Sequence, residues 1–180
     1  MSRTGRSAQV RVTLLLAGAF GCGWLAVAAA FQILGLRFNH TPSFPVGLYR
    51  VAAGPASLIE FCPLGNAAIE SAARQYRGRG RCADGFAPLL KEIVAREGDE
   101  VEFSILGMRV NGLRLENTHP LARDRHNRPM THYPFGAYRV QAGSLWVASM
   151  WNDGSYDSRY FGPILSSQIR QRLTLWWTVP

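Results

Sequence analysis

Val12 to Leu36 reads VTLLLAGAFGCGWLAVAAAFQILGL and contains no charged residue. No other feature of the chain constrains its folding so strongly. About 20 apolar residues, rising 1.5 Å each as a helix, cross the hydrocarbon core of a bilayer. Gln32 is the one strongly polar member and stands near one end. Arg3, Arg6 and Arg11 precede the run, and Arg37 alone follows it directly. The positive-inside rule then places residues 1–11 in the cytoplasm, residues 12–36 in the bilayer as a single-pass anchor, and residues 38–180 outside. In a bacterium this is an inner-membrane protein with a periplasmic domain. The competing reading is a cleavable signal peptide, for which Ala26-Val27-Ala28 fits the small-residue pattern. Apolar residues continue through Phe31, Ile33, Leu34 and Leu36, beyond the roughly 7–15 residues of a secretory core. Either reading exports residues 38 to 180.

With 180 residues, the chain has room for one ordinary domain beside the anchor. It is 47% hydrophobic and 18% charged, which is globular or membrane-attached composition rather than disorder. A formal charge of +8 and a pI of about 10.1 suit nucleic acid, anionic lipid or acidic substrates. Zinc-finger spacing, an RNP signature and a basic heptad helix are all missing, so nucleic acid is not the expected partner. Membrane lipid is.

Export also decides how the cysteines read. Cys22 lies in the apolar run and is a small hydrophobe. Cys62 and Cys82 lie in the exported part, where an oxidising compartment favours a disulfide. The bridge would close residues 62–82, a Gly- and Arg-rich segment, and stabilise by about 3 kcal/mol on the loop-entropy estimate. No Cys or His pair there has metal-ligand spacing, and no cofactor or metal is expected.

Strand patterns dominate the exported part. Gly47 to Val51 and Leu89 to Ala95 are extended, the latter closed by a turn at Glu97-Gly98-Asp99. Glu100 to Ile105 alternates polar and apolar residues. Met108-Arg109-Val110 and Leu113-Arg114-Leu115 flank Asn111-Gly112, the strongest short hairpin signal. Tyr138 to Val140, Leu145 to Ala148 and Arg172 to Val179 are further strands, and residues 65–77 are readable as one short helix. The fold class is mainly β, a domain of antiparallel sheets forming a sandwich or open barrel behind one N-terminal transmembrane helix.

Three pieces can carry chemistry. The first is Thr41-Pro42-Ser43-Phe44-Pro45-Val46-Gly47-Leu48-Tyr49. A serine hydroxyl is a weak nucleophile near neutral pH unless a base activates it. His40, His119, His126 and His132 are available, but no triad motif or G-x-S-x-G elbow surrounds Ser43. The second piece is Lys91, the only lysine in the chain against nineteen arginines. A buried lysine can lose its proton near neutrality, whereas a guanidinium effectively cannot. The plainer alternative is a surface lysine whose stem packs on the sheet. The third piece, NDGSYDSRYFGP at residues 152–163, gathers Asp153, Ser155, Asp157, Ser158 and Arg159. It is either a turn with an Asp–Arg pair or a loop that holds a lysine amine.

In order and spacing, these pieces resemble the signal peptidase I family of Ser/Lys peptidases. Within it they are most similar to the conjugative-transfer, TraF-type branch that matures pilins. The resemblance covers nearly the whole chain. It implies that Ser43 is the nucleophile and Lys91 the general base. It implies that the Thr41 hydroxyl and the Ser43 backbone N–H bind the oxyanion, and that Ser155 orients the lysine amine. Asp157 and Arg159 match a structural pair, and Asp157, rather than Asp153, matches a loop aspartate needed for activity. Two departures stand out. Glu97 replaces the usual proline before Gly98-Asp99, and Ser149-Met150-Trp151 replaces a Gly-Asp-Asn that borders the site. Residues 62–82 look like an insertion without a family role.

The expected function is a membrane-anchored serine endopeptidase. Its substrate is a pilin-like or signal-peptide-bearing precursor, and its partners include components of the conjugative transfer apparatus. In that branch the precursor's own amino terminus can take the acyl group and give a cyclic pilin. The alternatives are a general signal peptidase I for exported proteins and a non-catalytic envelope scaffold of a secretion assembly. Pro42 and Pro45 would hold the backbone around Ser43 near attack geometry, and the few residues between Leu36 and Ser43 would keep it near the membrane surface.

Overall fold

The computed structural model describes residues 3–64 and 75–178, with side chains at residue 13 and from residue 15 onward. The chain divides into two compact units, Met1–Arg37 and Phe38–Pro180.

The first unit is dominated by helix α1 (Arg3–Ile33). Within it Leu15–Ile33, 19 residues, is long and apolar enough to cross a membrane. The helix ends before the uncharged run does. Leu34 N–H donates to Ala30 C=O at 2.9 Å and Gly35 N–H to Gln32 C=O at 3.2 Å. Gly35 has φ 62°, the left-handed conformation that closes helices and that only glycine adopts cheaply. Leu36 therefore starts a strand instead of extending the helix.

The second unit is mainly β. Its strands are β1 (Leu36–Asn39), which spans the boundary, β2 (Gly47–Val51), β3 (Leu58–Phe61), β4 (Leu89–Ala95), β5 (Glu100–Ser104) and β6 (Gly107–Val110). There follow β7 (Leu113–Arg114), β8 (Gly136–Arg139), β9 (Ser144–Ala148), a one-turn helix α2 (Ser158–Phe161), β10 (Ile164–Leu165) and β11 (Ile169–Thr178). One sheet runs β1-β2-β11-β3-β4-β9-β10 and a second runs β7-β6-β5-β8. The strands pair antiparallel from β2 onward.

β9 explains how the two sheets share a core. Its LWVA is apolar at every position because both faces are covered. Leu145 and Val147 join Ile59, Phe61, Ile93 and Phe161 on one side. Trp146 and Ala148 join Val101, Phe103, Met108 and Val140 on the other.

The hairpin at Asn111-Gly112 forms as its sequence predicts. Val110 pairs with Leu113, and the turn residues have φ 50° and 80°, the left-handed pair of a type I′ turn. Tyr138 to Val140 and Leu145 to Ala148, though adjacent in sequence, serve different sheets: β8 pairs with β5, whereas β9 pairs with β4 and β10. The final strand begins at Ile169, earlier than expected, because its first half pairs with β3 and its second with β2. β3 itself, LIEF, is too short to show a period. The short helix expected over 65–77 lies largely outside the described residues. Cys62 and Cys82 form the expected disulfide, with Cα atoms 5.6 Å apart.

Candidate active site

Lys91 lies on β4 between β3 and β9, with Ile59 opposite it on β3. Strand alternation gives it the same buried parity as Ile93. Only 3% of the residue is exposed, so the surface-lysine alternative does not hold. Its Nζ is 2.9 Å from Ser43 Oγ. Burial lowers its pKa from 10.5 to about 8; Asp157 pulls the value upward and Arg159 pushes it further down. At pH 7 about a tenth of such an amine is neutral, against about three in ten thousand at the ordinary value.

The loop that presents Ser43 is built from short polar contacts. Asn39, at the end of β1, is buried. Its amide nitrogen is shared among the carbonyls of Thr41, Phe44 and Pro45, at 3.0, 3.1 and 3.2 Å. Its Oδ1 accepts from Thr41 N–H at 3.1 Å and from the Thr41 hydroxyl at 2.8 Å. The Tyr49 hydroxyl donates to Pro45 C=O at 2.7 Å. Neither Pro42 nor Pro45 has an N–H of its own to satisfy. Gly47 lets the loop enter β2 against β11, since a Cβ there would lie 2.2 Å from Trp177 C=O.

A second loop grips the same backbone from the other side. The Ser149 hydroxyl donates to Ser43 C=O, and Asn152 Nδ2 donates to Pro42 C=O at 3.1 Å. Ser149 N–H in turn donates to Asp157 Oδ2 at 3.1 Å. Asp157 and Arg159 form an ion pair with both side chains fully buried. Arg159 Nε and Nη2 donate to the two carboxylate oxygens at 2.8 and 2.9 Å, a bidentate match. Its remaining hydrogens reach the carbonyls of Asn117, His119, Asp153 and Ser155. Asp157 also caps α2, accepting from Arg159 N–H.

The sequence-predicted residues therefore meet unequally. Ser43 and Lys91 are in direct contact, and the buried Asp157–Arg159 pair acts on Lys91 through its field. Asp153 is half exposed, and its carboxylate is 3.9 Å from His119 Nε2. Two expectations differ from the geometry. The Thr41 hydroxyl gives its proton to Asn39. Ser155 is buried, yet its hydroxyl has no hydrogen-bond partner, so it does not bond Lys91 in this arrangement. None of the four histidines hydrogen-bonds to Ser43. Among the described residues, no group of three His, Cys, Asp or Glu side chains could hold a metal.

Sequence reasoning missed Asn39, Ser149 and Asn152. Asn39 carried a usable signal, because Asn two residues before Thr41 is the pattern of an Asx turn. Ser149 counted only as a departure from glycine, and its contact with Ser43 depends on β9 lying beside β4.

A family model described as signal peptidase, peptidase S26, matches residues 8–178. The chain is 34% identical over 154 residues to a plasmid transfer protein TraF of Escherichia coli, covering 83% of this chain and 86% of the relative. It is 33% identical over 164 residues to a probable conjugal transfer protein TraF of Sinorhizobium fredii, covering 88% and 81%. A conjugal transfer protein TraF of Agrobacterium fabrum is 37% identical over 141 residues, covering 75% and 78%. Among solved structures, a signal peptidase I of Enterococcus faecalis is similar at 19% identity and a TM-score of 0.37, covering 67% of this chain and 97% of that one.

Proposed function

The chain belongs to the S26 signal peptidase family, and from that premise we propose that it is a membrane-anchored serine endopeptidase of conjugative transfer. Ser43 is its nucleophile and Lys91 its general base. The observation that carries the reading is the 2.9 Å contact between Ser43 Oγ and an amine that is almost entirely buried.

Neutral Lys91 takes the Ser43 proton as Oγ attacks the scissile carbonyl. The backbone N–H of Ser43 and the Thr41 hydroxyl, once turned from Asn39, bind the oxyanion; each such donor typically matters by about 10²–10³ in rate. As the intermediate collapses, the Lys91 ammonium gives its proton to the departing nitrogen, and an ester joins the substrate acyl group to Ser43. Lys91 is then neutral again and takes a proton from the group that attacks the ester. That group is water or the precursor's own amino terminus. The proton returns to Ser43 Oγ when the ester breaks. Ser155, buried and unpartnered, is the group that holds the amine while Ser43 is acylated. Asp157 and Arg159 fix the loop and set the local field.

The substrate is a pilin-like or signal-peptide-bearing precursor. The arginines before the apolar run set the N-terminus in the cytoplasm, and residues 38–180 work in the periplasm. The test is the intact mass of a candidate pilin precursor co-expressed with wild type, Ser43→Ala or Lys91→Met. Wild type shortens the precursor and both variants leave it whole. A product lighter by one further water is cyclic. Normal processing by both variants would return the domain to a scaffold role, and cleavage of many unrelated exported precursors would make it a general signal peptidase.

A further inference from the structure

The disulfide-closed segment has no part in the chemistry above, yet it reaches the loop that supports it. The Tyr76 ring stacks on Tyr156, with centroids 4.7 Å apart and planes 13° apart. Tyr156 stacks on Tyr160 at 5.3 Å and 9°. Tyr156 is the residue between Ser155 and Asp157, both of them buried. The outer side of Tyr76 is also occupied. Its hydroxyl donates to Asp124 Oδ2 at 2.9 Å, and the Arg128 guanidinium lies 5.1 Å above its ring while bonding the same carboxylate. Burial and then the hydrogen bond to Asp124 push the phenol up to about 12, so it remains a donor through the working range.

Tyr76 is anchored from below as well. Its neighbour Arg77 is buried, pairs with Asp84 at 2.6 Å and donates to Ala87 C=O at 2.7 Å. Cys82, between these residues in sequence, is bridged to Cys62 at the end of β3, and Cys82 N–H donates to Phe86 C=O at 3.0 Å. A face of three parallel rings is thus tied to the strand ends that flank Lys91. From Tyr156 the path to Ser43 is short: Asp157 accepts from Ser149 N–H, and the Ser149 hydroxyl holds Ser43 C=O.

We propose that Tyr76, held in place by the neighbouring Arg77 contacts and the Cys62–Cys82 bridge, is a positioning residue for the loop that carries Ser155 and Asp157. The proposal rests on the reading of Ser43 and Lys91 given above. Stacked rings resist sliding and tilting, so Tyr76 limits the excursions of Tyr156 and, through it, of Asp157 and Ser149. Removing the ring loosens attack geometry without removing a substrate contact. The loss then falls on kcat rather than KM. A dithiol reductant acts on the same element. It converts the bridge to two thiols and is itself oxidised to a disulfide, which releases the tether on Arg77 and Tyr76.

The test uses the full chain in detergent and a purified pilin precursor that wild type cleaves in the mass experiment. Tyr76→Ala is expected to lower kcat about tenfold with KM unchanged. Tyr76→Phe, which keeps the stack and loses only the hydroxyl, restores most of the rate. Excess dithiothreitol lowers wild-type kcat severalfold and adds little to Tyr76→Ala. Amide hydrogen exchange supplies a readout independent of cleavage: Tyr76→Ala speeds exchange in residues 152–160 and spares β4 and β5. Wild-type kcat in Tyr76→Ala, an effect on KM alone, or equal damage from Ala and Phe would overturn the positioning role. Insensitivity of wild type to dithiothreitol would overturn the part given to the bridge. If Ser43→Ala and Lys91→Met cleave that precursor as wild type does but the exchange change appears, the brace stands and the Ser/Lys reading falls.

Discussion

The amine of Lys91 lies 2.9 Å from the hydroxyl of Ser43, across 48 residues of sequence and without a histidine between them. β4 supplies one group and the loop between β1 and β2 supplies the other. The consequences of that contact can be measured one at a time.

With Lys91 as the proposed base, activity should follow its neutral fraction. Burial sets its pKa at about 8, with Asp157 and Arg159 as opposing charges and Ser43 as its hydrogen-bond partner. The logarithm of kcat/KM should rise with unit slope below pH 8 and level above it. A pH–rate profile checks this, and a flat profile from pH 6 to 8 would exclude Lys91 as the base.

Lys91→Met should abolish processing and yet stabilise the domain. Below pH 8 the lysine is protonated whether the chain is folded or not, and the folded state bears the cost of burying an ammonium. Between pH 8 and 10.5 the folded chain has lost that proton and the unfolded chain has not, so wild-type stability rises with pH. The gain from Met is on the order of 3 kcal/mol at pH 7 and vanishes by about pH 10.5. Urea unfolding at pH 7 and pH 10 measures it. Lys91→Arg should be as inactive as Met, because guanidinium does not deprotonate.

Asp157→Asn leaves the buried Arg159 charge without its counter-ion. A loss of about 3–5 kcal/mol is expected by urea unfolding. Adding Arg159→Met should not rescue the variant, since the carbonyls of Asn117, His119, Asp153 and Ser155 then lose their donor. Recovery of wild-type stability in the double variant would mean that the pair acts only on itself.

Ser149→Ala removes the donor to Ser43 C=O and leaves β9 intact. Stability should fall by only about 1 kcal/mol, whereas kcat falls about tenfold or more as Ser43 loses its fixed backbone. Single-turnover kinetics on the precursor separate the two effects.

Gly47→Ala tests the entry to β2. The added methyl would sit 2.2 Å from Trp177 C=O and 2.8 Å from Thr178 Cα, both backbone atoms that cannot swing aside. A destabilisation of about 2 kcal/mol or more is expected, measured as a lowered thermal midpoint.

Much of the architecture was legible because its signals are local. The limits of β2 and β4 fall where their residue patterns place them, and Asn111-Gly112 makes its hairpin because two adjacent left-handed residues suit few other sequences. The strands that escaped notice, Leu36–Asn39, Leu58–Phe61 and Ile164–Leu165, are too short to show a period. Their partners, distant in sequence, decide them.

The site divides the same way. By itself the sequence supplied the apolar run able to cross a bilayer and the two exported cysteines that pair, Cys62 and Cys82, and through its family resemblance it singled out Ser43, Lys91, Asp157 and Arg159. Those are properties of residue type, run length and order along the chain. Only the tertiary structure decided that Lys91 is buried, that its amine meets Ser43, that Asn39 and Ser149 hold the Ser43 loop from two sides, and that Ser155 has no partner. Hydrogen bonds and desolvation act over a few ångströms between groups that are dozens of residues apart. No local pattern encodes which strands will bring those groups together.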